Sequence, residues 1–307
     1  MPELPDVTIY VDALRQRIIG DRIARVRIVS PFILRTFDPP IEAVEGKRIA
    51  GVSRIGKRIV LEAEDELFLV IHLMIAGRLR WIDGPGAKAP GGKITLASLE
   101  FPSGTLAITE ASTKKRASLH VVAGRQGLGQ FQRGGIDVLE ADLASFGAAL
   151  ARERHTLKRA LTDPRLFDGI GNAYSDEILH AARLSPFKIT TTLDAGETAR
   201  LHDATRGTLC RWIARLREEF DDGAGGLRFP GPGEITAFRP DFAVHGRFGE
   251  PCPVCATKVQ RVVYSEREFN YCPTCQTEGR ILADRSLSRL LRDEFPRTVR
   301  ELEALEE

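Results

Sequence analysis

The chain has 307 residues, 43 % hydrophobic and 28 % charged, a globular composition that excludes global disorder, a collagen-like chain and a membrane-embedded one. At roughly 100–200 residues per domain, the length suggests two domains or three small modules. Lys and Arg total 44 against 42 Asp and Glu, a formal net charge of +2, so a polyanionic partner would require the basic groups to be focused on one face.

The opening stretch MPELPDVTIYVDAL has no basic n-region and no apolar h-region, so no secretory signal is expected. Residues 6–19 read as an amphipathic helix, with Val7, Val11, Leu14 and Ile18 at helical spacing and Gly20 as the stop. The period then changes to two. Segments 22–29, 47–55, 58–63, 67–73, 77–82, 93–101, 105–110 and 117–122 read as strands, separated by turn material such as DPP and PSG. Such a run suggests a sandwich or flattened barrel with the first helix at its edge. The Gly-rich stretch 124–135 reads as a hinge. Helices are expected at 141–152, 156–162, 172–183 and 195–220, followed by a long Gly/Pro loop at 221–240. The tail from Ser286 reads as a short charged helix.

Four of the five cysteines lie between 252 and 275. Cys252-Pro-Val-Cys255 and Cys272-Pro-Thr-Cys275 are two CxxC knuckles, each able to put two thiolates on one ion. The sequence between them reads as a β-hairpin. A structural zinc ribbon with no open catalytic position is expected; two redox pairs or disulfides are the alternative. Cys210 stands alone on an apolar helix face and is expected to be a buried core cysteine.

Pro2 becomes chemically special only if Met1 is removed, which leaves a secondary amine at the terminus. An α-amino group titrates at about 7.7–8, so a useful neutral fraction could attack a sugar aldehyde carbon and form an iminium. Glu3 is adjacent and could act as acid or base.

Three separated segments carry a resemblance: MPELPDV at the start, FDGIGNAYSDEILHAARLSP at 167–186, and GEPCPVC…FNYCPTCQ at 249–276. They resemble, in order and spacing, the bacterial formamidopyrimidine/endonuclease VIII DNA glycosylases. The resemblance implies an α+β multidomain chain. Its parts are a β-sandwich with an edge helix (1–135), a helix–two-turn–helix domain (136–240), a β-hairpin zinc finger (241–285) and a tail helix (286–307). It implies a base-excision DNA glycosylase with abasic-site lyase activity acting on damaged double-stranded DNA. Base flipping follows from that chemistry, because a stacked base hides its sugar carbon.

The resemblance also implies roles. Pro2 would be the nucleophile, Glu3 the proton donor to the sugar ring, and Lys57 a phosphate contact that assists elimination. His72 would touch the backbone, Asn172 would hold a phosphate, and Arg267 would clamp phosphates from the zinc-finger hairpin. Cys252, Cys255, Cys272 and Cys275 would hold one zinc. No small-molecule cofactor and no membrane partner are implied, and a cytoplasmic, nucleoid-associated monomer is expected.

The lesion-reading parts depart from the family pattern. HLMIAG at 72–77 displaces Met74 by one place and puts Ile75 in the expected wedge slot. An aromatic-bearing loop is replaced by EASTKKRASLH, whose Lys114, Lys115 and Arg116 suit phosphate contact better than void filling. Asp6 stands where well-known members carry a longer acid. In the 221–240 loop, Phe229, Phe238 and Arg239 could meet a base or pack against the zinc module. These departures keep a second function open, a damage-binding protein of the same fold that does not excise.

Overall fold

In the computed structural model, residues 1–264, 267–283, 290 and 295–306 are described, without the side chains of Tyr264, Arg267, Leu305 and Glu306. They form two compact units, Met1–Arg133 with Arg211–Thr236, and Gly134–Cys210 with Ala237–Glu307. Residues 211–236, which follow the helices in chain order, therefore count with the first unit. Among the described residues no helix is long and apolar enough to cross a membrane.

The first unit opens with helix α1 (Leu4–Ile18). Eight strands follow: β1 (Arg25–Ile28), β2 (Ile49–Ile55), β3 (Arg58–Ala63), β4 (Leu67–His72), β5 (Gly77–Asp83), β6 (Thr95–Phe101), β7 (Gly104–Glu110) and β8 (Ser118–Ala123). They make two antiparallel four-stranded sheets, ordered β1-β6-β7-β5 and β2-β3-β4-β8. The expected sandwich is present, with each strand ending within a few residues of its expected bounds. Alternation sends Ile59, Leu61, Leu69, Ile71, Leu119 and Val121 into one core with Leu79, Leu99, Leu106 and Ile108. Helix α1 packs against β2, the sheet edge, and β3. Its Val7, Tyr10, Leu14 and Ile18 join the same core.

Strands β3 and β4 read as continuous apolar runs because their outer face is covered too. Val60, Phe68, Val70, Val122 and Phe131 form a second cluster there. Its lid is a 3-10 turn at Arg125–Phe131, where a loose hinge was expected. Gly127 lies so close to the sheet that a Cβ would stand 2.4 Å from a Val122 methyl.

In the second unit, α2 (Leu143–Ala151), α3 (Leu157–Thr162) and α4 (Asn172–Ala182) match the expected helices. Asp142 caps α2 through the Ser145 N–H at 2.8 Å, and Thr156 caps α3. Two short parallel strands, β9 (Ile136–Asp137) and β10 (Phe167–Asp168), precede α4. Helix α5 (Ala195–Glu219) follows. Cys210 on α5 is exposed, not buried. The buried positions around it are Leu209, Trp212 and Ile213, and about 100° of rotation per residue turns position 210 off that stripe. The zinc-finger hairpin is β11 (Gln260–Tyr264) and β12 (Arg267–Tyr271), followed by α6 (Pro273–Thr277). Of the tail from Ser286, residues 290 and 295–306 are described, and within them α7 spans Val299–Glu306.

Candidate functional site

Pro2 is buried at the head of α1, and Glu3 is its N-cap residue with only 4 % exposure. Glu3 and Asp6 form a capping box. In it, the Glu3 N–H donates to the Asp6 carboxylate at 2.9 Å. A shorter acid thus still reaches back to the N-cap and fixes the backbone that carries Pro2 and Glu3. Burial is the main effect holding the Met1 amino group below its ordinary proton affinity. Glu3 opposes this, Arg78 adds to it, Asp6 opposes it and Lys57 adds to it. Lys57 and Arg78 are therefore electrostatic neighbours of the residue that precedes Pro2.

Lys57 occupies the two-residue turn Gly56-Lys57 between β2 and β3, where Gly56 supplies a φ of +55°. Directly after it, Arg58 pairs across the sheet with His72, and His72 pairs with Ser118. His72 is pushed down to about 4, first by burial and then by Arg58, Lys57, Arg133 and His120. It is uncharged at neutral pH and can offer a hydrogen bond, not a charge. His120 is lowered by burial, then by Arg58 and Arg35. Phe131 meets the His120 ring edge-on at 5.0 Å and lies 5.7 Å from the Arg58 guanidinium. Around His72 and His120, Lys57, Arg35, Arg58 and Arg133 are electrostatic neighbours, and Arg78 joins Lys57 at the amino terminus. Sequence reasoning missed Arg35, Arg58, Arg78, His120 and Arg133. The signal was the alternation that puts Arg58, His72 and His120 on the same face.

The turn at 73–77 shows a division of labour. Met74 is half-buried with φ +54°, in the left-handed region that side chains disfavour, while Ile75 is 60 % exposed. The turn closes through the Gly77 N–H to the Leu73 carbonyl at 2.9 Å. Any Cβ at Gly77 would stand 2.2 Å from that oxygen.

The Lys114–Arg116 loop is not a uniform basic row. Glu110, 2 % exposed, accepts the N–H groups of Arg116 and Ala117 at 2.8 and 3.0 Å. Lys115 folds back to the Glu110 carbonyl, leaving Lys114 and Arg116 exposed. In the 221–236 loop, Phe229 packs on Tyr10 and Trp81 with its ring beneath Arg17. That is a core contact of the sandwich.

In the second unit, Asn172 opens α4 behind the N-cap Gly171. Its amide donates to the Glu268 carbonyl at 2.7 Å. Glu268 follows Arg267, which opens β12 opposite Tyr264; the Arg267 side chain is not among those described. Two acids on α4 extend this junction. Asp176 takes Lys158 Nζ at 2.5 Å, His245 Nδ1 at 2.7 Å and the Asn270 N–H at 3.1 Å. Glu177 accepts three consecutive N–H groups, from Ala243, Val244 and His245, at 2.7–3.0 Å. Burial still holds its carboxyl above the ordinary glutamate value. Phe238, 69 % exposed, stacks on His245, whereas Arg239 is 7 % exposed.

The four cysteine sulfurs come together as the spacing predicted. Cys255 Sγ lies 3.3 Å from Cys272 Sγ and 3.5 Å from Cys275 Sγ, and Cys252 Sγ lies 4.0 Å from Cys275 Sγ. Zinc–sulfur bonds of about 2.3 Å in a tetrahedron put sulfurs roughly 3.8 Å apart. The donor set fits one structural zinc held by Cys252, Cys255, Cys272 and Cys275.

Comparison with known proteins agrees with this layout. Residues 1–119 match the formamidopyrimidine-DNA glycosylase N-terminal domain, residues 136–219 its H2TH domain, and residues 249–277 the zinc finger found in FPG and IleRS. A formamidopyrimidine-DNA glycosylase of Symbiobacterium thermophilum is 32 % identical over 293 residues, covering 93 % of each chain. That of Moorella thermoacetica is 31 % identical over 85 % of this chain and 94 % of its own. An uncharacterized formamidopyrimidine-DNA glycosylase-like protein of Mycobacterium tuberculosis is 40 % identical over 158 residues, 52 % of this chain and 94 % of its own. Among solved structures, Lactococcus lactis Fpg with an abasic site containing DNA superposes at TM-score 0.76 with 26 % identity. It covers 90 % of this chain and 99 % of its own.

Proposed function

The chain belongs to the formamidopyrimidine-DNA glycosylase family, and we propose that it is a base-excision DNA glycosylase with abasic-site lyase activity. The observation that carries the mechanism is the anchored amino terminus, with Pro2 and Glu3 held by Asp6 and electrostatically beside Lys57 and Arg78. With Met1 removed, the Pro2 amine attacks C1′ of an extruded nucleotide, the C1′–base bond breaks and the base leaves with the amine's proton; the C1′–O4′ bond then opens to the iminium as Glu3 protonates O4′. β-Elimination follows from the iminium. Lys57, neutral His72, Asn172 and Arg267 hold phosphates around the lesion, as do Lys114, Lys115 and Arg116 from their loop. Met74 and Ile75 share the void-filling turn, with Ile75 supplying the protruding apolar group. The zinc is structural and takes no part in bond breaking.

We assign four functional modules: catalytic sandwich (1–135), helix–two-turn–helix (136–240), zinc finger (241–285) and tail (286–307). The proposed partner is damaged double-stranded DNA, met by a cytoplasmic monomer working at the nucleoid. Oxidised purines, formamidopyrimidines, oxidised pyrimidines and bare abasic sites are the substrate classes to test.

Borohydride trapping on abasic and lesion duplexes tests the reading, using protein whose N-terminus has been checked by mass. A covalent adduct is expected, lost in Pro2→Gly. Glu3→Gln should suppress base excision more than abasic-site cleavage. The altered 73–77 turn and the aromatic-free 110–120 loop motivate the second reading, a non-excising damage binder. Tight abasic-DNA binding with no adduct and no turnover would favour it.

A further inference from the structure

Helix α4 presents a polar stripe at positions 172, 176 and 180, spaced one turn apart. Asn172 and Asp176 on this stripe bond to the zinc-finger hairpin, and Glu177 beside them bonds to the loop that leads into it. The stripe continues to His180, which is 6 % exposed on a helix whose Ile178, Leu179 and Ala182 are buried as well. A buried histidine on such a face is ordinarily a core residue. Here its Nε2 lies 3.3 Å from Cys252 Sγ, a zinc ligand that is itself 3 % exposed.

Four thiolates on one Zn²⁺ leave a net charge of −2. The surroundings are apolar, built from Val244, Val259 and Ala243. Such a charge needs nearby donors to be tolerable. Three come from the finger itself. The Val254 N–H approaches Cys252 at 3.5 Å, the Cys275 N–H approaches Cys272 at 3.4 Å, and the Thr257 hydroxyl lies 3.4 Å from Cys255. His180 comes from another element, 72 residues away in the chain.

We propose that His180 is a positioning residue of the zinc centre, donating an Nε2–H···Sγ hydrogen bond to Cys252 and tying the metal to the helix that carries Asn172. The bond withdraws charge from one thiolate and slows loss of the ion. Carboxylates and carbonyls usually orient metal-bound histidines from outside. Here the roles are reversed, with a histidine outside and the thiolate inside. The proposal rests on the zinc assignment, which metal analysis of the wild-type protein tests separately.

The test uses the full chain with His180→Phe, which keeps an aromatic ring, and His180→Gln, whose amide restores a donor near the Nε2 position. Zinc release to a chelator is followed by absorbance, and the cobalt(II)-substituted proteins are compared by their sulfur-to-cobalt charge-transfer bands. Removing an outer donor typically costs about 10–100-fold in metal affinity. His180→Phe should therefore release zinc at least tenfold faster and shift the cobalt band to longer wavelength, with His180→Gln restoring both in part. A purely packing role would leave the cobalt band in place. Release and band equal to wild type in His180→Phe would overturn the proposal. Should that variant not fold, cadmium-113-loaded wild-type protein decides. A scalar coupling between the His180 Nε2–H and the metal is expected, and its absence would overturn the proposal equally.

Discussion

Asp6 offers the sharpest separation of structure from chemistry at the amino terminus. Its carboxylate is 2 % exposed and accepts the Glu3 N–H at 2.9 Å. Asp6→Ala deletes that acceptor, which is worth about 1–2 kcal/mol at an N-cap. It also deletes an anion at the positive end of α1, worth about 0.3–1 kcal/mol. The sum, about 1–3 kcal/mol, corresponds to a fall in melting temperature of about 3–12 °C for a unit of this size. Asp6→Asn keeps an oxygen where the N–H points and loses only the charge, so its fall should be under half as large. The kinetic signatures differ as well. A displaced Pro2 in Asp6→Ala should slow abasic-site cleavage by about 10²-fold, the usual cost of misplacing a reacting group by about 1 Å. In Asp6→Asn the acceptor oxygen and so the geometry survive, and the cleavage rate should stay close to wild type. Calorimetry and single-turnover cleavage of an abasic duplex measure both effects. An Asp6→Ala protein that melts within about 1 °C of wild type and cleaves at the same rate would refute the reasoning.

Gly77→Ala should open the 73–77 turn, because its Cβ meets the Leu73 carbonyl at 2.2 Å. A loss of about 1–3 kcal/mol in urea unfolding is expected, as for other overpacked sites. Ile75→Ala should leave stability within about 0.5 kcal/mol while weakening binding to lesion duplex in fluorescence anisotropy; unchanged binding would remove Ile75 from the void-filling role. His72 titrates at about 4 when folded, below its ordinary 6.5, so the unfolded chain takes up the proton first. Its contribution is complete above the unfolded value and fades as pH falls from 6.5 towards 4, by up to about 3 kcal/mol. Urea midpoints at several pH values should show this slope, and His72→Asn should flatten it. Chelation of the zinc should abolish abasic-DNA binding and reduce the circular dichroism signal of the finger, both returning with added zinc.

The elements with a strong period were legible from the chain alone. Strands β3 and β4, helix α4 and both CxxC knuckles stand where pattern and spacing put them. What escaped depends on contacts between distant residues. The Gly-rich 125–131 segment looks unstructured as sequence, yet Leu128 and Phe131 fold it onto an outer sheet face that no local pattern announces. Lys114, Lys115 and Arg116 read as three equal cations until Glu110 captures the base of their loop. Asn172 was legible as a phosphate-binding candidate, but its amide bond to Glu268 joins residues 96 apart. The adjacent acids of SDEIL were the one local hint of the α4 junction. Two carboxylates inside an apolar helix require partners; Lys158 lies 18 residues from Asp176, and the other partners are about 70–100 residues away along the chain.

That separation sets an order for the birth of the protein on the ribosome. Glu177 is made 66 residues before Ala243, the first of its three donors. At about 5–20 residues per second, Glu177 waits roughly 3–13 s for its first donor. Asp176 already has Lys158 from α3, and gains His245 and then Asn270 as they are made. The knuckle at Cys252 and Cys255 arrives between these two events, and the second knuckle directly after them. Capture of the ion thus closes a structure whose buried charges have only just found their donors. A chain interrupted before this point should be a chaperone or protease substrate, not a partial enzyme.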